Sequence, residues 1–527
     1  MDMILLPLVL AAGVQATPGA VLIDRQRADR APPATATAPA GAPVAAMAAG
    51  APDIAIAGIR FTGARAPAPV AEAARRFIGR RATRQTLTEL AAALSSAYGR
   101  SAVALYTVAI PAQDFARGVV IVDLTEGRIV RAQLKRARPG RNRLLRARLA
   151  RMVGDTALPR ATYERQIVLI RDIPGLTPTI ELTDPHADGA LVMTVTPRQR
   201  RTRFSAGFSN RGIDLLGAGQ FDLTAIAYGL GVDGDQLSLS ASAASDLDRY
   251  RYASAAYTAP LGADGLTASI SAAYLRTRPP RYPLEGRARQ VAAALAYPLV
   301  RSFHRSADVS LGIDGLNSDN AAFGNLIATE RTRAVRLSGS LSDARERRSF
   351  SIAGSASHGL DVAGARVTAP FADATFTKIT AAASVDQTIG QRLIARLSAS
   401  GQYSRDALPA AERFAIGGPA IGRAFDAGLL TGDRGVGGLV ELAWRPVQAA
   451  RLATSELYGF VDGGRVGAAA RGPIVAQRYG LASAGAGFRL RHRDKAELGL
   501  EAAHAIDKPY PTYREDWRAL VEWRLTL

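Results

Sequence analysis

Two residues of opposite charge, Arg423 and Asp462, have the types and the setting to form a specific ion pair. Arg423 lies at the centre of a segment, residues 408–444, that contains too many glycines for a helix or a regular strand. Such a segment predicts a long loop folded against another part of the molecule, because glycine permits positive φ and close backbone approach. Asp462 lies in an alternating stretch that places Tyr458 and Phe460 on the same strand face. A guanidinium and a carboxylate can form two parallel hydrogen bonds, and neighbouring rings would shield that pair from water.

Other groupings of reactive residues do not predict catalysis. The glycines of residues 229–234 match a dinucleotide-binding fingerprint, but alternating strands flank them and no helix follows, so they predict a hairpin connection. The carboxylate pairs Glu412 with Asp426 and Glu441 with Glu456 could be invoked for hydrolysis. Nothing in their spacing selects them for catalysis. We therefore predict no catalytic residue and no enzyme activity.

The composition removes several further classes of site. Cysteine is absent, and the five histidines are too scattered to suggest a metal pair, so we predict neither a metal nor a cofactor. The formal charge of +20 could indicate a nucleic-acid partner, but the arginines are spread over the whole chain without clusters of stacking aromatic residues. We therefore predict no nucleic-acid binding. No segment after the N-terminus has the run of about 18 apolar residues that a membrane-spanning helix requires.

The first 52 residues have the composition of targeting and linker segments. Residues 1–16 contain a short apolar core that ends in Val14, Gln15 and Ala16, which predicts a cleaved signal peptide, although no basic residue precedes that core. Residues 17–52 join a short polar and basic piece to an Ala/Pro-rich stretch, which predicts a semi-extended linker.

Two consecutive segments share one order of predicted elements. Residues 53–127 predict strand, helix, helix, strand, strand, and their second helix carries an apolar stripe from Leu87 to Tyr98. Residues 128–200 repeat that order by pattern and not by identity. We therefore predict two small α+β domains in tandem.

Residues 201–527 alternate between apolar and polar side chains with a period of two; Leu237 and Leu239, for example, oppose Ser238 and Ser240. Sixteen such segments can be marked out, and an even number of amphipathic strands is typical of bacterial outer-membrane barrels, with apolar side chains toward lipid and polar ones toward a lumen. A soluble sandwich would also alternate, but it would turn its apolar faces into a shared core. We predict a mainly β fold, a 16-stranded transmembrane β-barrel preceded by two α+β domains.

Several residues resemble the motifs of one known family, the outer-membrane transporters of two-partner secretion that export haemolysins and filamentous adhesins. The loop, taken as residues 405–434, is similar to that family's inward-folded sixth extracellular loop, whose tip carries an Arg-Gly-aromatic motif. Residues 460–464 are similar to the strand motif whose aspartate pairs with the loop arginine. The chain departs from the family at Ala424, where glycine is usual, and at Gly422, where a β-branched residue is usual. The matching loop residues are Glu412, Phe414, Gly417, Gly418, Arg423, Phe425, Gly432 and Asp433.

The resemblance implies a role for these residues. Arg423 and Asp462 would latch the loop inside the barrel, shielded by Phe425, Tyr458 and Phe460. The alternative is that Arg423 only solvates the lumen. The scaffold of the loop would be Gly417, Gly418, Gly432 and Asp433.

Residues 53–127 and 128–200 resemble the polypeptide-transport-associated (POTRA) domains of the same family. The resemblance implies that both lie in the periplasm, next to a barrel embedded in the lipid of the bacterial outer membrane. It also implies a monomer that exports a secreted partner polypeptide with an N-terminal secretion domain.

Capture of that partner would use an exposed strand edge, which offers backbone hydrogen bonds, together with side-chain pockets. The candidate capture residues are Val103, Leu105, Val108 and Ile110, although the same residues could form an ordinary core. Two other functions stay open. One is the assembly of other outer-membrane proteins, which in the wider superfamily often involves more POTRA copies, or the secretion of lipids or small solutes. The other is an ordinary porin, which would lack the two α+β domains.

Overall fold

The computed structural model describes residues 51–527 apart from residues 136–141, 185–187, 281–282, 324, 369–371, 447–454, 472–474 and 494. The predicted signal peptide, residues 1–16, and all but the last two residues of the predicted linker, residues 17–52, lie outside the described residues. None of the helices in the described ranges is both long and apolar enough to cross a membrane.

The first α/β unit packs two helices against a small sheet. Its elements are β1 (Ala51–Ala55), β2 (Gly58–Gly63), α1 (Ala68–Arg75), β3 (Arg81–Ala82), α2 (Arg84–Tyr98), β4 (Tyr106–Ala109) and β5 (Val119–Glu126). The sheet has the order β2-β5-β4, so β4 is an edge strand, while β1 pairs with β3. Helix α2 begins after Thr83, whose side chain accepts a hydrogen bond from the Thr86 amide at 3.1 Å. The predicted apolar stripe from Leu87 to Tyr98 is buried against the sheet.

Apart from β1 and β3, which have no counterpart, the second α/β unit repeats the order of elements of the first. It comprises β6 (Arg128–Leu134), α3 (Arg143–Ala150), α4 (Arg160–Arg171), β7 (Leu176–Thr183) and β8 (Ala190–Gln199). Its sheet has the order β6-β8-β7, with β6 parallel to β8 and β7 antiparallel to it. The predicted repetition of strand, helix, helix, strand, strand is therefore present in the structure.

The rest of the chain forms a closed antiparallel barrel. Its elements are β9 (Thr202–Ser209), β10 (Gln220–Tyr228), β11 (Gln236–Ala244), β12 (Tyr250–Pro260), β13 (Thr267–Thr277), β14 (Leu284–Arg301), β15 (Arg305–Ala322), β16 (Asn325–Ala344), β17 (Arg348–Gly359), β18 (Arg366–Val367), β19 (Thr377–Ile389), β20 (Leu393–Ser404), β21 (Phe414–Ile416), β22 (Leu430–Gly432), β23 (Arg434–Trp444), β24 (Ser455–Ala468), β25 (Gln477–His492), β26 (Ala496–Asp507) and β27 (Trp517–Thr526). Sixteen long strands form the wall, because the two-residue β18 only adds to β16 and the pair β21–β22 lies outside the wall. The prediction of sixteen strands is confirmed.

The two faces of the wall differ as the alternation predicts. Ile313 and Val291 are 60% and 57% exposed, and they belong to a continuous outer belt of aliphatic side chains. Asp314, the next residue on β15, binds Arg336 on the inner face. The sandwich alternative is wrong, because the exposed apolar faces do not meet in a shared core. They form instead the surface that a barrel presents to lipid.

The barrel closes between its last and first strands. Five residue pairs join β27 to β9, from Glu522 with Ser209 to Thr526 with Ser205. The backbone amide of Leu527 also donates to the Phe204 carbonyl oxygen at 2.8 Å. Closure satisfies the backbone groups of both terminal strands, which would otherwise cost several kcal/mol each in hydrocarbon.

The second α/β unit is fastened to one end of the barrel, called the proximal end below; the other end is the distal end. Arg165 of α4 donates to the carbonyl oxygens of Asp264 and Pro298, both at 3.1 Å, and Arg301 of β14 pairs with Asp172 at 3.0 Å. Arg148 of α3 donates to the carbonyl oxygen of Ala263, in the turn between β12 and β13, at 3.2 Å, and to that of Leu169 in α4. Burial lowers the pKa of the Arg148 guanidinium to about 10. The contacts fix the direction in which the α/β units leave the barrel.

The belt can be tested with one charge on either face of β15. Ile313→Arg places a guanidinium in the outer belt and should destabilise the barrel by about 2–4 kcal/mol if the residue lies near the bilayer midplane. Ser310→Arg, on the inner face of the same strand, is the matched control and should cost much less. Urea unfolding after refolding into lipid vesicles measures both, and equal losses would contradict the assignment of faces.

Candidate functional site

A long loop, residues 405–433, connects β20 to β23 and folds into the barrel. A short 3₁₀ turn (Ala410–Glu412) leads into the hairpin β21–β22, and the tip of the loop follows β21. Ile416, Ile421 and Phe425 are buried against side chains of the barrel wall. The described part of the loop therefore has a hydrophobic core in common with the inner face of β24 to β26.

Three of the four predicted scaffold residues are glycines at positions that accept no side chain. Gly417 and Gly418 have φ values of +100° and +101°, and a Cβ at Gly417 would lie 2.3 Å from the Asp426 carbonyl oxygen. A Cβ at Gly432 would lie 2.7 Å from the carbonyl oxygen of Gly467 on β24. The first two turn the chain at the tip, and the third brings the loop backbone against the wall.

The Arg423 guanidinium lies between two glutamates of the barrel wall. Its Nη1 is 3.0 Å from Glu501 Oε2 on β26 and 3.3 Å from Glu441 Oε2 on β23. Its Nε is 4.0 Å from Asp462 Oδ2, beyond hydrogen-bonding distance. The predicted bidentate pair with Asp462 is therefore corrected: the guanidinium binds two other acids, because the tip enters the lumen between β23 and β26.

Asp462 holds the loop through the backbone. Its Oδ2 accepts a hydrogen bond from the Arg423 amide at 3.1 Å, and its Oδ1 accepts one from the Ser483 hydroxyl. Ser483 in turn accepts a hydrogen bond from the amide of Ala424 at 3.3 Å. Asp462 and Ser483 therefore define where the tip backbone sits, while Glu441 and Glu501 receive its charge.

The three predicted shielding rings are all close to the tip, with different partners. The Arg423 guanidinium carbon is 4.4 Å from the centroid of the Phe460 ring, within the range of a cation–π contact. Tyr458 donates its hydroxyl to Glu501 at 2.8 Å. Phe425 is fully buried and faces Tyr513 of the distal loop after β26, with ring centroids 5.4 Å apart. Arg423 itself is 9% exposed, so the geometry does not fit an arginine that only solvates the lumen.

The lumenal acids around the tip are paired with further arginines. Arg489 of β25 is 2.6 Å from Glu441, and Arg396 of β20 contacts both Glu441 and Glu456 at 2.8 and 3.0 Å. The carboxylate pair Glu441 and Glu456 is therefore held by guanidinium groups. These ion pairs cross-link neighbouring strands, and they leave neither Glu441 nor Glu456 as a free acid for hydrolysis.

A second set of contacts fixes the start of the loop. Arg336 and Lys378 bind the Glu412 carboxylate at 2.6 and 2.8 Å. Burial disfavours the charge, but these two cations outweigh it and lower the pKa of Glu412 to about 2. At the tip, burial raises the pKa of the Asp426 carboxyl to about 6, although Arg518 lies 2.9 Å away. The pair Glu412 and Asp426 therefore consists of two separately held carboxylates.

The fourth scaffold residue, Asp433, fixes the end of the loop. Its carboxylate accepts hydrogen bonds from the Leu408 amide at 2.8 Å and from the Ala469 amide at 2.6 Å. It also binds the Arg471 guanidinium, which donates to the Leu408 carbonyl oxygen as well. Asp433 therefore joins the two ends of the loop to the distal end of β24.

The structure corrects the side chains predicted for substrate capture. Val108 and Ile110 are buried in the core of the first α/β unit, at 2% and 4% exposure. Leu105 packs against the core of the second unit, and Val103 forms a bridge with Pro159. Val103 and Leu105 therefore lie where the two units meet, while Val108 and Ile110 lie inside the first. What remains for the predicted mode of capture is the backbone of an edge strand such as β4.

Sequence reasoning missed several residues that hold the loop. Glu501, Ser483 and Arg489 are lumenal residues of β25 and β26, and Arg336 and Lys378 belong to β16 and β19. For the four charged residues the signal in the sequence was an isolated charge on the polar side of an alternating strand, and Ser483 had no such signal. Which of these charges meet depends on the stagger of strands around a closed barrel, which the alternation does not determine. Within the described ranges no group of three or more acidic or histidine side chains is arranged to hold a metal ion.

Comparison with known families gives two matches. The model of the family described as haemolysin secretion/activation protein ShlB/FhaC/HecB matches residues 189–490, which is more than half of the chain. The model of the ShlB-type POTRA domain matches residues 54–127, the segment of the first α/β unit. No curated protein matches the chain.

Solved structures share the fold at low sequence identity. CdiB from Escherichia coli has a TM-score of 0.70 and 18% identity over 98% of each chain, and CdiB from Acinetobacter baumannii has a TM-score of 0.62 and 17% identity over 90% of each chain. BamA from Haemophilus ducreyi lacking POTRA domains 1-3 has a TM-score of 0.55 and 13% identity, over 89% of this chain and 99% of that one. At these identities the likeness concerns the fold alone.

The hold on the tip can be measured by the reactivity of one introduced thiol, since the chain contains no cysteine. Ala424→Cys places a thiol at a position that is 2% exposed, where labelling requires the tip to leave its site. Adding Arg423→Ala leaves Glu441 and Glu501 without their shared cation and should accelerate labelling by roughly tenfold or more. Adding Arg434→Ala, an exposed arginine on the outer face of β23, is the matched control. Equal labelling rates in both backgrounds would show that Arg423 does not hold the tip.

Proposed function

Because this chain belongs to the ShlB/FhaC/HecB family of two-partner secretion transporters of the outer membrane, we propose that its cargo is one large partner polypeptide of the haemolysin or adhesin class. The partner would carry an N-terminal secretion domain and arrive unfolded. The family is one of transporters and not of enzymes. In the lumen of this chain, arginines bind the carboxylates of Glu441 and Glu456.

The two α/β units are proposed to lie in the periplasm, as POTRA domains with the limits 53–127 and 128–200. The match of residues 54–127 to a POTRA model supports the first of them. The second has the same element order and is bound to the proximal turns of the barrel through Arg148, Arg165 and Arg301. With the proximal end toward the periplasm, the aliphatic belt lies in the lipid of the outer membrane. The chain closes its own barrel, which is consistent with a monomer.

Capture is proposed to occur along strand edges. In the described residues β4 and β7 each have a neighbour on one side only, β5 and β8 respectively. An extended polypeptide can add to such an edge through backbone hydrogen bonds, whatever its side chains. The burial of Val108 and Ile110 leaves specificity to exposed residues such as Thr107 on β4 and Glu181 on β7.

Passage is proposed to require displacement of the loop. The observation that supports this most directly is the position of Arg423, which binds Glu441 and Glu501 on two different strands across the inner face of the wall. A polypeptide that crosses the lumen competes with the loop for this space. Folding of the partner on the far side would prevent its return and supply the direction.

The assembly of other outer-membrane proteins is the rival function, and the shared fold with BamA does not distinguish it. Deleting the gene separates the two. If the chain exports a partner, one large protein should disappear from the culture medium of the deletion strain while other outer-membrane barrels remain. If it assembles outer-membrane proteins, the deletion strain should lose such barrels in general.

The loop contacts can be tested in the deletion strain. Arg423→Ala removes the cation that Glu441 and Glu501 share, and Asp462→Ala releases the tip backbone. Each change should therefore reduce export by roughly tenfold or more while the barrel still folds. The partner in the medium is quantified by immunoblot, and heat-dependent gel mobility reports the folded barrel. Arg434→Ala should export normally. Normal export by both Arg423→Ala and Asp462→Ala would reject the latch.

Edge capture can be tested by photocrosslinking at two exposed positions of one sheet. A crosslinking residue at Thr107, on the edge strand β4, should form adducts with the partner polypeptide. The same residue at Asp123, on the central strand β5, should form few, because both sides of that strand are paired. Equal yields at the two positions would contradict capture along the edge of β4.

A further inference from the structure

Six arginines gather on neighbouring strands near the distal end of the barrel. Arg276 on β13 is the Cα partner of Arg287 on β14, and Arg331 on β16 is the Cα partner of Arg366 on β18. Asn317 of β15 lies between β14 and β16 and is the Cα partner of both Arg289 and Arg331. Directly opposite residues share one face of a sheet. These residues, called the arginine patch below, are Arg276, Arg287, Arg289, Arg331, Arg333 and Arg366.

The arginine patch lies on the outer face of the wall. On β14, Arg287 and Arg289 alternate with Ala288, which is buried in an inner cluster with Leu275 and Leu316. Val291 follows on the same outer face and is 57% exposed. The patch therefore begins where the aliphatic belt ends.

The same order recurs on β16. Arg331 and Arg333 precede Leu337 on one face, and Leu337 is 53% exposed in the aliphatic belt. Arg333 is the Cα partner of Gly315, which in turn is the partner of Val291. The arginines of β16 therefore begin in register with Val291, one outward-facing residue before those of β14.

The positive charge of the patch is only partly balanced. Glu285 is 3.0 Å from Arg276 and 2.9 Å from Arg287. Asp319, the other acid on this face, accepts a hydrogen bond from the Thr329 hydroxyl at 2.9 Å. Across the part of the chain that the structure describes, no carboxylate forms an ion pair with the remaining patch residues, which are Arg289, Arg331, Arg333 and Arg366.

Two features show that this arrangement is costly for the protein alone. Arg331 and Arg366 face each other directly across two paired strands, and like charges in that position destabilise a sheet. The Nε of Arg331 is buried without a hydrogen-bond partner among the described residues. An anion at this place would remove the repulsion and accept the unused donors, and phosphate fits the guanidinium group particularly well because it accepts two parallel hydrogen bonds.

We propose that the arginine patch binds the phosphate groups of an anionic glycolipid in the distal leaflet of the membrane. A lipid is the source that the position favours, since its headgroup would meet the arginines while its acyl chains cover Val291, Ile313 and Leu337 directly below. The assignment of the distal leaflet to the outside of the cell rests on the proposed orientation of the barrel. The binding itself does not depend on export.

Binding can be measured with the purified full chain in detergent micelles, using diphosphorylated lipid A as the probe and native mass spectrometry as the readout. The triple variant Arg289→Gln, Arg331→Gln and Arg333→Gln should bind the probe roughly tenfold more weakly or worse. The matched control removes three exposed arginines from the first α/β unit, with the changes Arg76→Gln, Arg84→Gln and Arg117→Gln, and should bind as the wild type does. Heat-dependent gel mobility checks that each barrel is folded.

A second variant, which should bind lipid A more tightly than the wild type, keeps the test decisive if the triple variant fails to fold. Glu285→Gln removes the carboxylate that competes with phosphate for Arg276 and Arg287, so it should bind lipid A more tightly than the wild type. A lipid without phosphate should not bind, and inorganic phosphate at equal concentration should not displace lipid A. Wild-type affinity in the folded triple variant, weaker binding by Glu285→Gln, or displacement by inorganic phosphate would each overturn the proposal. None of these results would bear on export.

Discussion

The pairing of buried charge inside a closed wall is the constraint on which the rest of this structure depends. A guanidinium within a barrel is tolerated when carboxylates receive it, and removing one partner of such a set leaves the others buried and uncompensated. Arg423 meets Glu441 and Glu501 from the loop, and Arg489 and Arg396 meet the first of these acids from the wall. The tip is therefore one member of a network and not half of an isolated pair.

The network also connects the loop to the place where the barrel closes. Glu501 accepts the charge of Arg423 on one oxygen and binds Arg211, just after β9, at 3.2 Å on the other. Arg211 continues to Glu522 on the last strand at 3.0 Å. Displacing the tip changes the electrostatic balance at Glu501 and hence at the contact between β27 and β9, which is held by only five residue pairs. The geometry thereby links the position of the loop to the stability of the closing strands.

The sequence predicts the parts of this structure that depend on local periodicity. Alternation places Tyr458, Phe460 and Asp462 on one face of β24, and sixteen strands follow from the same pattern. The resemblance of the loop points to Arg423, but the partner of its guanidinium follows from which strands surround the tip. That is a property of closure and stagger, and so Glu501, thirty-nine residues beyond Asp462, has no local signal. Val108 and Ile110 were predicted to bind substrate and are buried in a core instead. The sequence could not distinguish the two, because an apolar strand has the same pattern in a core and at a binding edge.

The most direct measurement of the central claim is a double-mutant cycle between Arg423 and Glu501. Labelling rates of a thiol at residue 424 are compared for Arg423→Gln, Glu501→Gln and both together. If the two side chains act as one interaction that holds the tip, the effects are non-additive, with a coupling of about 0.5–3 kcal/mol. Additive effects would show that the tip is held without this contact, and would contradict the claim that paired charge keeps the loop inside the barrel.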